Sequence, residues 1–433
     1  MPSATTDAEA LMLGADDGLV RLASKLIKPL KNNFVERPWG GMQIREFKGL
    51  APLLDQHAIS GMGLGEAFEI AAFDNDYEAS QHPSLLQLDD GSVVSLPELL
   101  ARHAEALLGR EFVSQFGSSI PLLPKTLDVR ELLSVQGHPE GNTEVYIVIS
   151  ADAGATLRLG FAEDIEANQF KRELLEGRRQ QETVLEMLGS GQDPIEFQAI
   201  VAPWLAARDE KIDTIATSIP DSDVRSEILQ HLLSLKALYW RVLDAMNAIP
   251  VVAGQVIYNA NPSRISAATG RPPSAEVHAL GNPEGKEILA LEVRRPGPTF
   301  RAWDNVRFPI RDVDVEAAID ALNLKRTAPE EFLVEPAPVD ECDGVYLSVD
   351  SSAFRIEHLR PSPSVTVDIA AEPSHCLHAI RGHARFFDES GASIGVLDRG
   401  ESAIVPVGVG AYRVESEDPA SEIVKVSLPI ERD

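Results

Sequence analysis

The sequence predicts a mainly-β protein with barrel-like β domains and a helical insertion, and three observations lead to this fold class. The chain has 433 residues, more than one hydrophobic core usually organises, so two or three domains are expected. Short apolar runs bounded by Gly and Pro predict strands up to residue 161 and again from residue 251. Between residues 162 and 247 the apolar residues take a helical spacing, which predicts an insertion of helices.

The first part of the chain predicts elements in the following order. Residues up to about 30 predict an acidic tail and a short amphipathic helix. Ser95 as N-cap, Pro97 in the first turn and Gly109 as C-cap predict the next helix. Strands are predicted over 121–128, 145–150 and 155–161.

The elements of the second part follow from the same signals. Breaks near 189–192 and 218–220 divide the insertion into three predicted helices. Residues 287–293 form a strongly apolar predicted strand, and Pro336-Ala337-Pro338 predicts a linker. The remainder, 340–433, has short β segments separated by Gly and Pro turns.

Composition and charge limit the function classes. Hydrophobic residues make up 44% and charged residues 24%, as in ordinary soluble globular proteins, and no run of about 18 apolar residues predicts a membrane span. Residues 1–18 lack the basic start and apolar stretch of a signal peptide. Cys342 and Cys376 form no Cys-x-x-Cys pair, so a reducing cytoplasm is the expected location. The net charge of -28 argues against nucleic acid and anionic membranes as partners, and any phosphate site must be a local basic cluster.

The most informative pattern joins Gln136, His138 and Glu144 to His278 far downstream. Gln136 and His138 are two residues apart, so on a strand they point to the same face, and a turn over 139–142 can bring Glu144 back beside them. His278 follows a Pro-x-small-x-x stretch that can deliver a fourth ligand. Two imidazoles, a carboxylate and an amide oxygen suit a divalent transition metal, zinc foremost. A buried His and Gln in a β-rich core without metal is the structural alternative.

This split pattern resembles the two-part metal motif of the cupin superfamily, His-x-His-x(3-4)-Glu and Pro-x-Gly-x-x-His-x-x-x-Asn. Gln136 stands in the place of the first His, and the second half fits Pro273, Ala275, His278 and Asn282, with Ala in place of Gly. The Gln-x-His-Pro sequence is similar to that of the class I mannose-6-phosphate isomerases, where it supplies two zinc ligands. Further segments similar to that family lie at 29–41, 65–70, 121–136 and 300–307, within a resemblance that covers roughly 29–161 and 251–430.

The resemblance implies a fold and a reaction. It implies two cupin-type jelly-roll β-barrels and a zinc-dependent aldose–ketose isomerase, interconverting mannose 6-phosphate and fructose 6-phosphate or a related sugar; another divalent metal is an open alternative. The partner would be a small-molecule sugar or sugar phosphate, and the sequence neither chooses between them nor fixes the oligomeric state. The implied domains are an acidic extension (1–28), a metal-binding catalytic domain (29–161 with 251–335), a helical insertion (162–250) and a C-terminal domain without metal (340–433).

The resemblance also implies roles for single residues. Arg301 matches the family's catalytic arginine, Glu292 matches a carboxylate that could serve as acid or base, and Lys125 completes the catalytic set. The metal ligands would be Gln136, His138, Glu144 and His278, and the substrate pocket would include Trp39, Glu66, Ser134 and Arg307. The alternatives are structural: ion pairs of the arginines with the many acids, a solvated strand end for Lys125, and a satisfied buried pair for Glu66 or Glu292.

Three departures from the family pattern leave a metal site intact but weaken the case for mannose 6-phosphate itself. Asn142 stands where the family usually has Lys, the loop before Glu144 is only five residues long, and Gly297-Pro298 replace an acidic residue. A non-catalytic or regulatory sugar-binding cupin that kept its metal is therefore the alternative function. An iron-dependent cupin oxygenase is a third, although iron cupins more often present three His and one Glu.

The C-terminal part is expected to bind no metal. Residues 400–408 resemble a second cupin motif, but Tyr412 stands where a His would be needed. His375 and His378 lie three residues apart, and no matching carboxylate follows them.

Overall fold

A computed structural model of the protein describes residues 8, 16–50, 63–72, 82–139, 141–189, 192–219, 223–260 and 275–430. Pro273, part of the predicted second motif, and most of the N-terminal tail lie outside these residues. The strands in the first part are β1 Phe34–Arg37, β2 Gly63–Phe68, β3 Leu85–Gln87, β4 Val93–Ser95, β5 Leu123–Val129, β6 Val135–Gly137, β7 Glu144–Ala151, β8 Thr156–Phe161, β9 Met246–Pro250, β10 Val256–Asn259, β11 His278–Ala279, β12 Ile288–Arg294, β13 Phe300–Trp303 and β14 Leu333–Val334. The strands in the second part are β15 Ala337–Pro338, β16 Val345–Asp350, β17 Arg355–Leu359, β18 Val367–Ile369, β19 His375–Arg381, β20 His383–Asp388, β21 Ser393–Asp398, β22 Ser402–Val405, β23 Tyr412–Glu415 and β24 Glu422–Ser427.

Helices flank these sheets and fill the middle of the chain. The helices are α1 Asp16–Ala23, α2 Gln43–Phe47, α3 Leu96–Leu108, α4 Arg110–Phe116, α5 Ala167–Leu188, α6 Pro194–Ala206, α7 Asp213–Ala216, α8 Arg225–Asp244 and α9 Val315–Ala321, with single 3₁₀ turns at Pro329–Phe332 and Val407–Val409. The helix predicted between Ser95 and Gly109 is confirmed as α3. The insertion has one helix more than predicted, because the short α7 lies between α6 and α8. No helix in the described ranges is long and apolar enough to cross a membrane.

The first β part is built around two larger sheets packed face to face, and β3 pairs with β4 in a separate two-stranded sheet. One has seven strands in the order β1-β2-β5-β12-β7-β10-β14, and the other has five in the order β13-β6-β11-β8-β9. Their strand pairs are antiparallel, and the core between them includes Leu127, Tyr146, Leu159 and Ile257. The helices α5, α6 and α8 pack on the outside of the five-stranded sheet through a second core that includes Trp303.

The second β part also has two sheets. Six strands run in the order β15-β16-β17-β24-β19-β22 and four in the order β18-β23-β20-β21, and Leu377, Phe386 and Tyr412 lie in the core between them. The mainly-β prediction is confirmed, with antiparallel sheets throughout the described residues. Closed barrels are not found there, because the strands divide into separate facing sheets. The predicted domain boundaries stay a prediction.

Two local predictions are wrong. Ala337 and Pro338, predicted as linker, form the edge strand β15 paired with β16, a place where Pro can sit because its missing N–H faces outward. The sequence also predicts that Gln136, His138 and Glu144 sit on adjacent strands of a small β-barrel, but β6 and β7 belong to the two facing sheets of the first part. The Asn142 N–H donates to the Pro139 carbonyl at 3.1 Å where the chain passes from one sheet to the other.

Candidate active site

Strand alternation gathers the charged residues of the seven-stranded sheet on its inner face. On β7 the odd residues Val145 and Ile147 enter the core behind the sheet, whereas Glu144 and Tyr146 point toward the five-stranded sheet. The neighbouring strand β12 follows the same rule, and Glu292 pairs in register with Tyr146. The sequence thus places carboxylates inside an otherwise apolar sandwich, at the end where β7 begins.

Three candidate ligands meet across the two sheets. The Nε2 atom of His138 lies 2.7 Å from Oε1 of Glu144, and Nε2 of His278 lies 3.4 Å from Oε2. His138, Glu144 and His278 offer ligand atoms within 4.8 Å of one another, and all three residues are buried. Gln136 stands opposite His278 on the paired strand, and its amide nitrogen is 3.0 Å from His278 Nε2. All four predicted ligands are therefore brought together.

Backbone carbonyls fix the imidazoles in the form that binds metals. His138 donates through Nδ1 to the Pro298 carbonyl at 3.1 Å, and His278 donates through Nδ1 to the Glu276 carbonyl at 2.9 Å. A proton on Nδ1 leaves the Nε2 lone pair directed into the cluster. Burial lowers the pKa of His278 to about 4, against the opposing effect of Glu144, so its ring is neutral at pH 7.

The donor set fits a divalent metal ion. The buried Nε2 atom of His138 makes no hydrogen bond with any described residue, although Glu144 Oε1 lies close to it. Burial alone would raise the pKa of Glu144, but His138 and Arg294 outweigh that effect and hold the pKa well below its usual range. Two imidazoles, one carboxylate and one amide are ligands that zinc and related metals accept.

A chain of opposite charges extends from this cluster along the inner face of the seven-stranded sheet. Lys125 Nζ lies 3.2 Å from Glu292 Oε2 and 3.3 Å from Glu66 Oε1, and Arg37 Nε donates to Glu66 Oε2 at 2.9 Å. Burial would raise the pKa of Glu66, but Lys125 and Arg37 together hold it at about 2. Glu292 behaves differently: burial and the nearby Glu144 outweigh Lys125 and Arg294 and raise its pKa to about 7. A carboxyl group with this pKa can both accept and release a proton near neutral pH.

These side chains line one cavity that opens to solvent. Its charged walls carry five cations and three anions. They are Arg37, Lys125, Arg294, Arg301 and Arg311 against Glu66, Glu144 and Glu292. In a chain with net charge -28, this local excess of two positive charges favours an anionic ligand.

The structure brings ten of the eleven predicted site residues to the cavity. Trp39, Glu66, Lys125, Ser134, Gln136, His138, Glu144, His278, Glu292 and Arg301 line it. Arg307 is not among the lining residues that the structure describes, and its guanidinium donates to Asp304 Oδ1 at 2.9 Å and to the Leu132 carbonyl at 2.8 Å. Its predicted role in substrate binding has no geometric support.

Sequence reasoning missed five polar lining residues, namely Arg37, Tyr146, Arg294, Thr299 and Arg311. Tyr146 and Arg294 lie two residues after Glu144 and Glu292, so strand alternation could have found them. Arg37 lies within the Glu-Arg-Pro-Trp segment that carries the resemblance. Arg311 follows β13 in a loop, and no periodicity points to it.

The fold and the site together define a cupin-like, mainly-β protein with a buried candidate site for a divalent metal. No family model matches the chain. A curated mannose-6-phosphate isomerase from Streptococcus mutans is 33% identical over 145 residues, 30% of this chain and 39% of the relative. The match thus spans about two fifths of the relative's length. It confirms the resemblance to mannose-6-phosphate isomerases.

Solved structures of the same name share the fold. The mannose-6-phosphate isomerase of Bacillus subtilis has a TM-score of 0.58 at 16% identity, with 93% of this chain and 99% of that chain covered. A variant of the phosphomannose isomerase of Salmonella typhimurium has a TM-score of 0.59 at 14% identity and covers 94% and 99%. A mannose 6-phosphate isomerase bound with zinc and yttrium has a TM-score of 0.58 at 13% identity, with the same coverage.

Proposed function

We propose that this protein is a metal-dependent sugar-phosphate isomerase that interconverts an aldose phosphate and its ketose. The observation that carries the proposal is the juxtaposition of a His–Glu–His–Gln cluster with Glu292, the one cavity carboxyl whose pKa is raised to about 7. A metal site beside a poised acid–base group suits proton transfer next to a carbonyl. The relative from Streptococcus mutans carries the same activity in its name.

The substrate class follows from the cavity charges. A phosphate carries about two negative charges, and the five basic side chains exceed the three carboxylates before any metal is counted. We propose mannose 6-phosphate and fructose 6-phosphate as the pair, in line with the names of the similar proteins. Arg311, partly exposed on the cavity wall, is the candidate for the phosphate.

Gln136, His138, Glu144 and His278 would hold the metal, and zinc is the proposed ion because one structural neighbour is bound with zinc. When bound there, a divalent ion supplies electrophilic polarisation of a substrate oxygen. Tyr146 donates its hydroxyl to Glu144 Oε2 and, with its pKa raised well above the usual range by burial and by Glu144, stays a neutral donor. The ligand carboxylate is therefore held from both sides.

Proton transfer falls to Glu292. In the aldose-to-ketose direction its carboxylate takes the proton from C2 and returns one to C1, while the hydroxyl proton moves to the oxygen that was the carbonyl. Lys125, 3.2 Å from Glu292 Oε2, orients the carboxylate and donates within the cavity. Arg301 faces the cavity from β13, and we assign it the stabilisation of the developing oxyanion.

The remaining finer assignments are proposals of the same kind. They are a cytoplasmic location and two cupin-type domains. The first comprises 29–161 with 251–335 and carries the insertion 162–250 between its two segments, and the second comprises 340–433. The partner is a small sugar phosphate, without nucleic acid or membrane.

One observation favours the second candidate, a sugar-binding protein without turnover. Asn142, which replaces the family's lysine, is buried, and its amide makes no hydrogen bond with any described residue. It does not line the cavity as the structure describes it. A substrate-binding charge is thus missing and nothing at this position replaces it.

A coupled isomerase assay over phosphorylated and free hexoses and pentoses, with elemental analysis of the same sample, tests the function. We expect turnover of a phosphorylated hexose, none of the free sugar, and one divalent metal per chain. Tight binding of a sugar phosphate without turnover would favour the binding protein. Protein without metal and without turnover would contradict both.

Variants separate the metal site from the rest. The double change His138→Ala with His278→Ala removes two imidazole ligands, so metal content should fall below one tenth of the wild-type value. The matched control is His375→Ala with His378→Ala, which removes two buried histidines of the second β part. Equal metal content in the two double variants would sink the proposed site. Glu292→Gln and Arg301→Ala should keep the metal and lower kcat at least a hundredfold.

A further inference from the structure

Arg294 occupies a special place at the end of β12, where the seven-stranded sheet passes into the turn that leads to β13. Its side chain is only 3% exposed, and its Nε atom lies 3.5 Å from Glu292 Oε1 and 3.8 Å from Glu144 Oε1. It pairs in register with Glu144 on β7. One guanidinium thus stands between the candidate acid–base group and a candidate metal ligand.

The other end of the guanidinium holds the turn. The Nη1 atom of Arg294 donates to the carbonyls of Arg295 at 3.3 Å and Gly297 at 3.1 Å. The next carbonyl, that of Pro298, accepts the Nδ1 proton of His138. Beyond it the chain continues through Thr299, on the cavity wall, to Arg301.

Close packing against Asn142 restricts the opposite side of the turn that contains Gly297. A Cβ atom at Gly297 would lie 2.7 Å from the amide nitrogen of Asn142, so the turn passes in close contact with the short connection between β6 and β7. The side chain of Arg294 and the residue at 142 therefore hold the turn between them.

We propose that Arg294 is a positioning residue of the site: it fixes the turn so that the Pro298 carbonyl holds His138 in its metal-binding form, and it keeps Glu292 and Glu144 in place. The inference rests on the proposed metal centre. The effect depends on the shape of the guanidinium as well as on its charge, because the planar group reaches two carboxylates and two carbonyls at the same time.

Arg294→Lys tests geometry at constant charge. An ammonium keeps the positive charge beside the carboxylates but cannot donate to the turn and reach both carboxylates together. The matched control is Arg295→Lys, one residue on, whose guanidinium donates instead to the Ala353 carbonyl at 3.2 Å and lies over the Phe116 ring. Each variant replaces one guanidinium near the same turn with an ammonium. Of the two arginines, only Arg294 lines the cavity.

The readouts are the zinc dissociation constant from chelator competition, the absorption spectrum of the cobalt-loaded protein, and kcat and KM where turnover exists. For Arg294→Lys we expect zinc affinity to fall tenfold to a hundredfold, the magnitude typical of losing a group that orients a ligand. The cobalt spectrum should shift, and kcat should fall more than KM changes. Arg295→Lys should match the wild type within twofold in every readout. Thermal unfolding midpoints identify any variant that is merely unstable.

Each outcome is decisive. Zinc affinity and cobalt spectrum unchanged in Arg294→Lys would overturn the inference, and so would an equal loss in Arg295→Lys or a wild-type protein that binds no zinc. A wild type that binds zinc but turns over no sugar refutes the isomerase and leaves this inference to be judged on the zinc constants.

Discussion

The Asp304 carboxylate accepts hydrogen bonds from two arginines, Arg307 and Arg311, whose different roles the sequence does not reveal. Arg307 is almost fully buried and uses Nη1 on Asp304 and Nη2 on the Leu132 carbonyl. Arg311 donates through Nε to the other oxygen of Asp304 at 2.7 Å, but 27% of its side chain is exposed and it lines the cavity. The same carboxylate thus anchors a structural arginine and a cavity arginine.

The first prediction separates these two roles. Arg311→Ala should weaken binding of the sugar phosphate tenfold to a hundredfold, about 1.5–3 kcal/mol for a charge-assisted hydrogen bond, without changing the binding of free sugar. Arg307→Ala should instead lower the free energy of unfolding by about 1–3 kcal/mol, because it leaves Asp304 and a buried carbonyl short of partners. Titration with both forms of the sugar and thermal unfolding decide. The reverse pattern would show that Arg307 reaches the substrate.

The second prediction concerns a buried ion pair of the second β part. His358 donates through Nδ1 to Glu422 Oε1 at 3.0 Å, and Arg360 lies at the same distance. Burial would raise the pKa of Glu422, but His358 and Arg360 hold it at about 2.

Because the unfolded carboxyl group takes up its proton near pH 4.5, the stabilisation is complete above that pH and is lost as pH falls toward 2. Glu422→Gln should therefore lower the free energy of unfolding by about 1–2 kcal/mol at pH 7, after allowance for the partly exposed arginine, and by much less at pH 2.5. Chemical unfolding across this range measures it. Glu417→Gln, at an exposed pair with Arg385, is the control and should change little.

At the scale of elements, strand alternation explains why most of the site could be predicted. Once Glu144 and Glu292 are placed on strands, the residues two positions further on, Tyr146 and Arg294, must lie on the same face of the sheet. The sequence could not predict which sheet each strand joins. β6 and β7 lie in the two facing sheets instead of pairing with each other, although a short connection between two strands usually indicates a paired hairpin. Arg311 could not be predicted because its place depends on Asp304, a contact between loop residues that no period records.

The Trp-Gly-Gly segment, read from the sequence as a mark of resemblance, has a packing explanation. A Cβ atom at Gly40 would lie 2.4 Å from the Gly63 carbonyl oxygen, and one at Gly41 would lie 2.0 Å from Asp128 Oδ1. The Oδ2 atom of Asp128 accepts from the backbone N–H of Ile44 at 2.9 Å, at the start of α2. The segment therefore needs glycine so that its backbone can lie directly against β2 and β5.

The third prediction follows from this contact. Gly40→Ala should destabilise the protein by about 3 kcal/mol or more, because the clash is with backbone that cannot move aside. Gly91→Ala provides the comparison: its φ of +84° strains an L-residue, but nothing lies near its Cβ position, so a cost of about 1 kcal/mol is expected. Thermal unfolding of both variants measures the difference, and similar losses would refute the packing explanation.

At the scale of the whole molecule, the two β parts share a hydrophobic core. Ile147 of β7 and Leu291 of β12 lie in one cluster with Phe354, Ile380 and Val424 of the second part. A buried polar group crosses the same boundary, since Ser402 donates to Glu69 Oε2 at 2.7 Å. The sequence shows each strand as apolar but not which distant strands cover it, so this shared core could not be predicted.

The last prediction is that both parts unfold together. All four tryptophans, Trp39, Trp204, Trp240 and Trp303, precede residue 335, so their fluorescence reports on the first part and the insertion alone. Phe354→Ala, in the second part, empties a fully buried site of the shared core and should cost about 3–5 kcal/mol. If the core is common, the tryptophan transition in urea should shift to lower denaturant by as much as the transition seen by circular dichroism.

Phe387→Ala is the control, because that ring is only half-buried on the second part and stacks with Arg413. It should move both transitions little. A tryptophan transition that ignores Phe354→Ala, while circular dichroism shows a second, earlier step, would mean that the second β part unfolds independently and that the shared core contributes little to holding the candidate site together.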